Sequence, residues 1–443
     1  MPEGYRPALS ERPARPPTLG FVTEPRTAAD PDASADALFP ATRAAALARL
    51  ADALPRLGAA YGRDRNHDRG LGAESTVSAL SPYVRHRLVT EHELVVAIVE
   101  RHGFRAPEKF VQEVFWRTYW KGWLELRPQV WRDYVDDVTR LMDDSEHPLP
   151  VDEGVRDRYL AAVEGRTGID GFDDWARELV ANGWLHNHVR MWFASIWIFT
   201  LRLPWQLGAD FFLRHLYDGD PASNTLSWRW VAGLQTRGKT YQATAENIAR
   251  YTDGRYRPRG LASSAEPLDG PPPPPASPAP ESRPLTAGRA LLLVGEDDLH
   301  PESLPLHGVE VVGVVRPERG APRGPSCAAE AVQAFQRGAL ADAGRRASER
   351  FGCAESVIEA VRASELLAIA RAHEVDRIVT GYAPVGAAAD TLARARAEAA
   401  ADGVRIETVL RGWDARAWPH ATRGFFPFKE RIPGLMRDAG IGA

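Results

Sequence analysis

Residues 183–230 constrain this chain more than any other stretch. They open Gly183-Trp184-Leu185-His186-Asn187-His188-Val189-Arg190-Met191 and close Asp218-Gly219-Asp220-Pro221-Ala222-Ser223-Asn224-Thr225-Leu226-Ser227-Trp228-Arg229-Trp230. Six of the chain's 13 tryptophans fall inside them. Apolar residues are nearly continuous over 187–203, including Met191, Trp192, Phe193, Ile196, Trp197, Ile198, Phe199 and Leu201. That run predicts a helix buried on most sides. It is too short to cross a bilayer and carries Arg190 and Arg202 near its ends. Charge beside so apolar a helix is costly unless paired. Arg190 is therefore expected to face Asp218, leaving Asp220 free to accept a hydrogen bond from a bound planar ring. A structural ion pair in a plain helical core is the alternative these residues leave open.

Upstream segments offer companions to this stretch. Ala44, Leu47, Leu50, Leu54 and Leu57 mark an amphipathic helix. In Val77-Ser78-Ala79-Leu80-Ser81-Pro82-Tyr83, Ser81 is a good N-cap and Pro82 a good first helical residue. A helix starting there presents free N–H groups of the kind that receive phosphate. Farther on, Glu113, Trp116, Arg117 and Trp120 share one helical face at i, i+3, i+4 and i+7. A carboxylate beside an indole on such a face can bond to and stack a nucleobase, although a half-buried helix face is the commoner use.

The motif order resembles the FAD-binding helical domain of the DNA photolyase and cryptochrome family over residues 61–256. The resemblance rests on Gly-Trp-Leu-His-Asn-x-x-Arg-Met, Asp-Gly-Asp-x-Ala-x-Asn and Trp-x-Trp taken together. It extends to the segment at Ser78 and Ser81, to Glu113-x-x-Trp116-Arg117, and to Gly165-Arg-Thr-Gly168. The resemblance implies FAD, with Tyr61, Ser78, Leu80 and Ser81 at the diphosphate. Arg117, Trp184, Asn187, Arg190, Asp218, Asp220, Asn224 and Thr225 would surround the rest of the cofactor. Glu113, Trp116, Asn187, Met191 and Trp230 would form a pocket for a cyclobutane pyrimidine dimer flipped from damaged DNA and repaired under blue light. Family members that act on the (6-4) photoproduct have histidines where this chain has Asn187 and Met191, which favours the dimer. Trp228 and Trp205 match an electron-feeding chain whose outermost position falls on Ala162.

Departures matter as well. Val77 replaces a family threonine, His188 replaces a frequent arginine, and Thr225 stands where photolyases usually have an asparagine facing flavin N5. A hydroxyl cannot offer an amide's donor and acceptor together. A cryptochrome-type blue-light sensor, or an FAD-binding protein that works in the dark, is the alternative function.

Organisation follows from composition. At 443 residues and 44% hydrophobic content, more than one core is expected. Residues 1–38 form a Pro-rich arm, 39–262 the helical domain, 263–288 a linker and 289–443 a second domain. Nine prolines occupy the 18 positions 267–284, a stiff segment that can reach roughly 55 Å. Beyond it, short apolar strands at 290–294, 309–315, 375–380 and 404–410 alternate with helices near 327–350, 355–373 and 386–401. That pattern predicts a doubly wound parallel sheet. The fold class is thus multi-domain α and α/β: an all-helical photolyase-like domain followed by a Rossmann-like domain. The second domain resembles the family's antenna domain, which precedes the helical domain in most relatives, so the chain looks circularly permuted. A second, antenna chromophore of undetermined identity is the matching expectation. Phe425-Phe-Pro-Phe-Lys429 resembles the segment ending that domain.

The net charge of −4 predicts no global attraction to nucleic acid, yet from Trp184 to Gly260 ten Lys/Arg stand against five Asp/Glu, a local excess of five. Two cysteines are too few for a four-thiolate iron–sulfur cluster. No metal site, membrane segment or signal sequence is expected. A cytoplasmic monomer acting on damaged DNA is the resulting picture.

Overall fold

The computed structural model describes residues 38–70, 75–142 and 154–442; the arm expected over 1–38 lies outside these apart from Leu38. In the first half the helices are α1 (Arg43–Ala53), α2 (Ala59–Asp64), α3 (Ser81–Arg85), α4 (Glu91–His102), α5 (Glu108–Glu125) and α6 (Gln129–Met142). There follow α7 (Val155–Val163), α8 (Phe172–Asn182), α9 (Asn187–Ser195), α10 (Trp205–His215), α11 (Pro221–Val231) and α12 (Ala245–Tyr251). They pack around an aromatic core in which Trp175, Trp192, Trp197 and Trp228 are fully buried. Local sequence explains several of these helices. Thr90 and Glu93 close a reciprocal capping box on α4. On α6, Val130, Trp131, Tyr134, Val138 and Leu141 make one inward stripe.

The helix predicted over 187–203 is shorter than its apolar run. Regular α-helix ends at Ser195, a π-turn spans Ile196–Thr200, and Arg202 sits at φ +53°. Pro204 is the cause: it disfavours helical geometry at the residue before it and offers no N–H. The chain then turns directly into α10.

The proline-rich segment is not a free spacer. Leu268 N donates to Ala232 O at 3.0 Å, Ser277 N to Leu126 O at 2.8 Å, and Arg127 Nε to Pro274 O at 3.1 Å. It lies as a strap along the helical half.

The second half is a five-stranded parallel sheet in the order β3-β2-β1-β4-β5. Its strands are β1 (Gly288–Leu293), β2 (Val309–Pro317), β3 (Glu355–Ile358), β4 (Arg377–Gly381) and β5 (Arg405–Val409), with α13 (Glu330–Phe351), α14 (Ala363–Ala372) and α15 (Ala387–Ala401) between them. Strand β3 corrects the helix expected over 355–373. Only Ile358 of its four residues is buried, so this edge strand carries too little apolar pattern to separate it from α14. The order reverses beside β1, which places a crevice at the carboxyl ends of β1 and β4.

After β5 the chain leaves the sheet and returns to the helical half through α16 (Gly412–Ala417), α17 (Phe425–Lys429) and α18 (Ile432–Asp438). Trp413 packs on Phe115, ring centroids 4.7 Å apart, and donates its indole N–H to Thr118 Oγ1 at 2.9 Å. A Cβ at Gly122 would stand 2.7 Å from the Trp418 ring, so α5 must be bare there. The segment carrying Trp413, Trp418 and Phe425 thus packs on α5, while Trp418 also meets Tyr382 beyond β4 at 5.7 Å, so this end of the block 289–443 touches both halves.

Glu125 at the end of α5 illustrates how the halves meet. Its carboxylate accepts from Val385 N at 2.6 Å and from the Tyr382 hydroxyl at 2.8 Å. Burial pushes the group up to about 7, against those two donors. A carboxyl raised from 4.5 contributes stability that is complete below that value and lost as the pH rises through 7. Unfolding free energy from denaturant titration is expected to fall between pH 5 and pH 8, Glu125 supplying about 3 kcal/mol of the loss. Glu125→Gln should flatten the profile, and an unchanged profile would contradict this reading.

Candidate functional site

The site grows from a glycine. Gly183 ends α8 at φ +63°, and a Cβ there would fall 2.8 Å from the Tyr217 ring. Only glycine lets residues 183–190 lie against 217–220, an approach fixed by Tyr217 N donating to Gly183 O at 2.8 Å. Within it Arg190 Nη2 donates to Asp218 Oδ2 at 2.9 Å, and its Nε to Leu185 O at 3.0 Å. The expected pair is present. Asp218 keeps Oδ1 without a hydrogen-bond partner.

Asp220 differs from expectation because it is not free. Its Oδ1 caps α11 by accepting from Ser223 N at 2.7 Å, and its Oδ2 meets Arg117 at 3.2 Å, Arg85 at 3.8 Å and Lys121 at 3.9 Å. Burial alone would raise this carboxyl; Arg117, Lys121 and Arg85 outweigh it and hold the group far below the usual carboxylate range. The oxygen left for a ligand is therefore on Asp218.

Ser81 is the first residue of α3 rather than its cap. Its hydroxyl accepts from the Trp184 indole N–H at 3.2 Å, while Ser78 Oγ accepts from Leu80 N at 3.3 Å. The reason is Ala79, whose φ of +49° swings the loop in before the helix begins. Leu80 is buried beneath, and Tyr61 packs edge-on to Phe110 at 5.0 Å.

Farther along α11, Asn224 donates to Ala209 O at 2.8 Å, and Thr225 is fully buried with Oγ1 unpaired. On α9, Asn187 is exposed and Met191 half-buried. His188 stacks on Trp192 at 4.3 Å and reaches Asn66 O and the Tyr241 hydroxyl, both at 3.0 Å. Trp230 stacks on Tyr241 at 5.8 Å. Glu113 stands 3.7 Å from Arg65. Trp116 has one face covered by Phe425, ring centroids 3.7 Å apart. Trp228 meets Trp197 edge-on at 6.1 Å, Trp205 stacks on Tyr134 at 5.7 Å, and Ala162 is buried. The exposed cations Arg237 and Lys239 lie just before Tyr241. Among the described residues no cluster could hold a metal ion.

Several unpaired polar atoms are buried here: Asp218 Oδ1, Thr225 Oγ1, Ser223 Oγ and Arg117 Nε. Buried polar atoms ordinarily find partners. Two acceptor-capable hydroxyls, a carboxylate oxygen and a guanidinium N–H suit a heterocycle with amide-like edges, as the isoalloxazine of FAD has. Residues 110–255 match the family model for the FAD binding domain of DNA photolyase. Over that stretch the chain is similar to the photolyase and cryptochrome family. A deoxyribodipyrimidine photo-lyase of Streptomyces griseus is 34% identical over 232 residues, 49% of this chain and 48% of that protein. One from Thermus thermophilus is 32% identical over 194 residues, 42% of this chain and 41% of that one. A bacterial class III photolyase from Agrobacterium tumefaciens, of known structure, is 24% identical with a TM-score of 0.40, covering 51% of this chain and 46% of its own. The chain thus spans about half the length of the curated relatives it matches.

Family motifs do not mark every group at the site. Arg85, Lys121 and Phe425 were not expected there; Phe425 was read only within the segment resembling the end of the antenna domain, and Tyr241 only as the tyrosine beside two cations that could meet phosphate. Asp220 gives a direct check. Asp220→Asn keeps the helix cap but strands three cations, and should cost about 3 kcal/mol in chemical denaturation. Asp220→Ala should cost about 1 kcal/mol more through the lost cap. Equal stability of Asp220→Asn and the parent chain would show that the cations are solvated instead.

Proposed function

We propose that this protein binds FAD among α3, α9 and α11 and repairs cyclobutane pyrimidine dimers in DNA under blue light. The observation that carries the reading is the Arg190–Asp218 pair with its open Asp218 oxygen, set beside the Ser81–Trp184 hydrogen bond. Tyr61, Ser78, Leu80 and Ser81 hold the diphosphate end. Arg117, Trp184, Asn187, Arg190, Asp218, Asn224 and Thr225 address the ring system, and Asp220 acts on it through Arg117. When bound and reduced, FAD supplies the light-driven electron.

The remaining residues act on the lesion. A dimer must leave the duplex to be reached, and a flipped base wants an aromatic wall and a hydrogen-bonding group on its polar edge. Trp116 and Trp230 are the walls, Glu113 is the polar contact, and Asn187 and Met191 line the entrance. Phe425 backs Trp116, which fixes the indole plane and leaves its other face for the lesion. Phe426, 77% exposed on the next position, and the exposed Arg423 extend this surface toward duplex and phosphate.

The first test is the absorption spectrum of the purified protein together with the identity of the extracted chromophore. Reduced protein under blue light should then split a dimer in an oligonucleotide. Trp116→Ala and Glu113→Gln should each slow repair by about tenfold or more, the worth of one lost contact of 1–2 kcal/mol. Binding of damaged duplex should weaken as salt rises. A protein that holds FAD and leaves the dimer intact would refute repair. The sensor reading would then gain, because α17 rests on Trp116 and Tyr119 of α5. It requires light to change the proteolysis of residues 411–442.

A further inference from the structure

Buried hydrogen-bond donors converge on the seam between the helical half and the sheet domain. Lys121, one turn past Arg117 on α5, has its side chain 1% exposed, and among the described residues its Nζ makes no hydrogen bond. The Asp220 carboxylate oxygen near it is 3.9 Å away and already serves Arg117 and Arg85. Arg323 enters the seam from the loop between β2 and α13. Its terminal nitrogens donate to Leu216 O and Tyr217 O, while its buried Nε is left unpaired. The third contributor is the N-terminus of α15. The N–H groups of a helix's first turn have no acceptor within the helix, and Gly386, just before Ala387, offers no side chain to cap them. A Cβ at Gly386 would stand 2.7 Å from Pro221, so α15 begins directly against the start of α11.

We propose that this seam binds one compact inorganic monoanion of chloride size, held by Lys121 and the first N–H groups of α15 with Arg323 beside it. A buried ammonium and a helix N-terminus attract an anion for the same reason, since each is a positive end short of compensation. The carboxylates that line the seam already have donors. Asp297 pairs with Arg85, Glu296 accepts from Ala321 N at 2.8 Å, and Glu125 accepts from Val385 N and Tyr382. Burial raises Glu125 and Glu296 to about 7, Asp297 adding to the effect at Glu296, so at pH 6 both are mostly protonated. The lining then carries Arg85, Lys121 and Arg323 against Asp220 and Asp297, an excess of one positive charge. About 20 Å³ of the seam is open to the centre of a water-sized sphere, room for one compact ion and none for a ring. The ion joins α5 of the helical half to α15 of the sheet domain. It stabilises their docking, and the success or failure of the proposed reaction leaves it untouched.

The test uses the full chain at pH 6 and constant ionic strength, so that screening is fixed, with chloride or bromide replacing the much larger gluconate. The unfolding temperature is expected to rise by about 2 °C or more and to level off as the site fills. Crystals grown in bromide should show an anomalous peak between Lys121 Nζ and Ala388 N. Ala388→Asp places a carboxylate in the first turn of α15. That variant should reach the halide-bound unfolding temperature in gluconate alone, respond no further to halide and lose the bromide peak. Lys121→Met should lose both the peak and the halide response; where it does not fold, Ala388→Asp decides. A seam without a bromide peak, or a halide response in Ala388→Asp equal to the parent's, would overturn the site.

Discussion

Three consecutive residues, Arg85-His86-Arg87, hold the two halves in register, and the geometry of the site depends on them. Arg85 donates to Gly219 O at 2.9 Å, stands 3.8 Å from Asp220, and pairs with Asp297 of the sheet domain. Arg87 reaches Glu91 at 3.1 Å, Asp414 at 2.5 Å and Asp298 at 3.5 Å. His86 lies between them with Nδ1 at 2.7 Å from Glu296 O; burial first, then Arg85 and Arg323, push it well below its ordinary value, so it stays neutral. A buried guanidinium is tolerable only when fully partnered, and removing one partner leaves a stranded charge. Each arginine draws its partners from both halves. The docking is therefore set by charges that cannot be left unpaired, and a sliding apolar contact would not impose the same register.

This junction is continuous with the residues proposed to hold FAD. Arg85 ends α3, the five-residue helix that Ser81 begins, and shares Asp220 with Arg117 and Lys121. A shift of the sheet domain would move Asp297, then Arg85, and so both the serine end and the acid end of the site. Arg87 holds φ at +53°, a conformation that costs a non-glycine residue about 1 kcal/mol or more, and its three carboxylate partners offset that strain. The proline-rich strap fits the same picture. Its backbone is bonded to the helical half, so the docking geometry does not rely on the reach of an extended chain.

Much of this architecture was legible in the residue pattern because the signals were local. Continuous apolar strands and 3.6-residue stripes predicted the sheet and most helices, and the cost of burying Arg190 predicted its pairing with Asp218. What could not be read were effects of distant chain segments. Asp220 looked free because Arg85, Arg117 and Lys121 belong to segments far upstream that share no motif with it. Strand β3 was hidden because an edge strand with one buried residue has almost no alternation to detect. Ser81 scored as a cap by composition, while the backbone of Ala79 decided otherwise.

The return of the chain after β5 has the largest bearing on chemistry. Tyr119 donates to Arg423 O at 2.7 Å, Phe425 lies on Trp116 and Phe428 on Tyr119, so α17 is pinned along the face of α5 that carries Glu113 and Trp116. An indole held on one side can present only its other side to a ligand, and its plane is then fixed before any ligand arrives. Preorganisation of that kind removes the entropy of ordering a wide side chain, roughly 0.5–1.5 kcal/mol at such a site. The wall proposed at Trp116 is thus a product of both halves. Trp230, the other wall proposed, is backed by Tyr241 within the helical half. Of the two walls, the one on α5 reports whether the second half is in place.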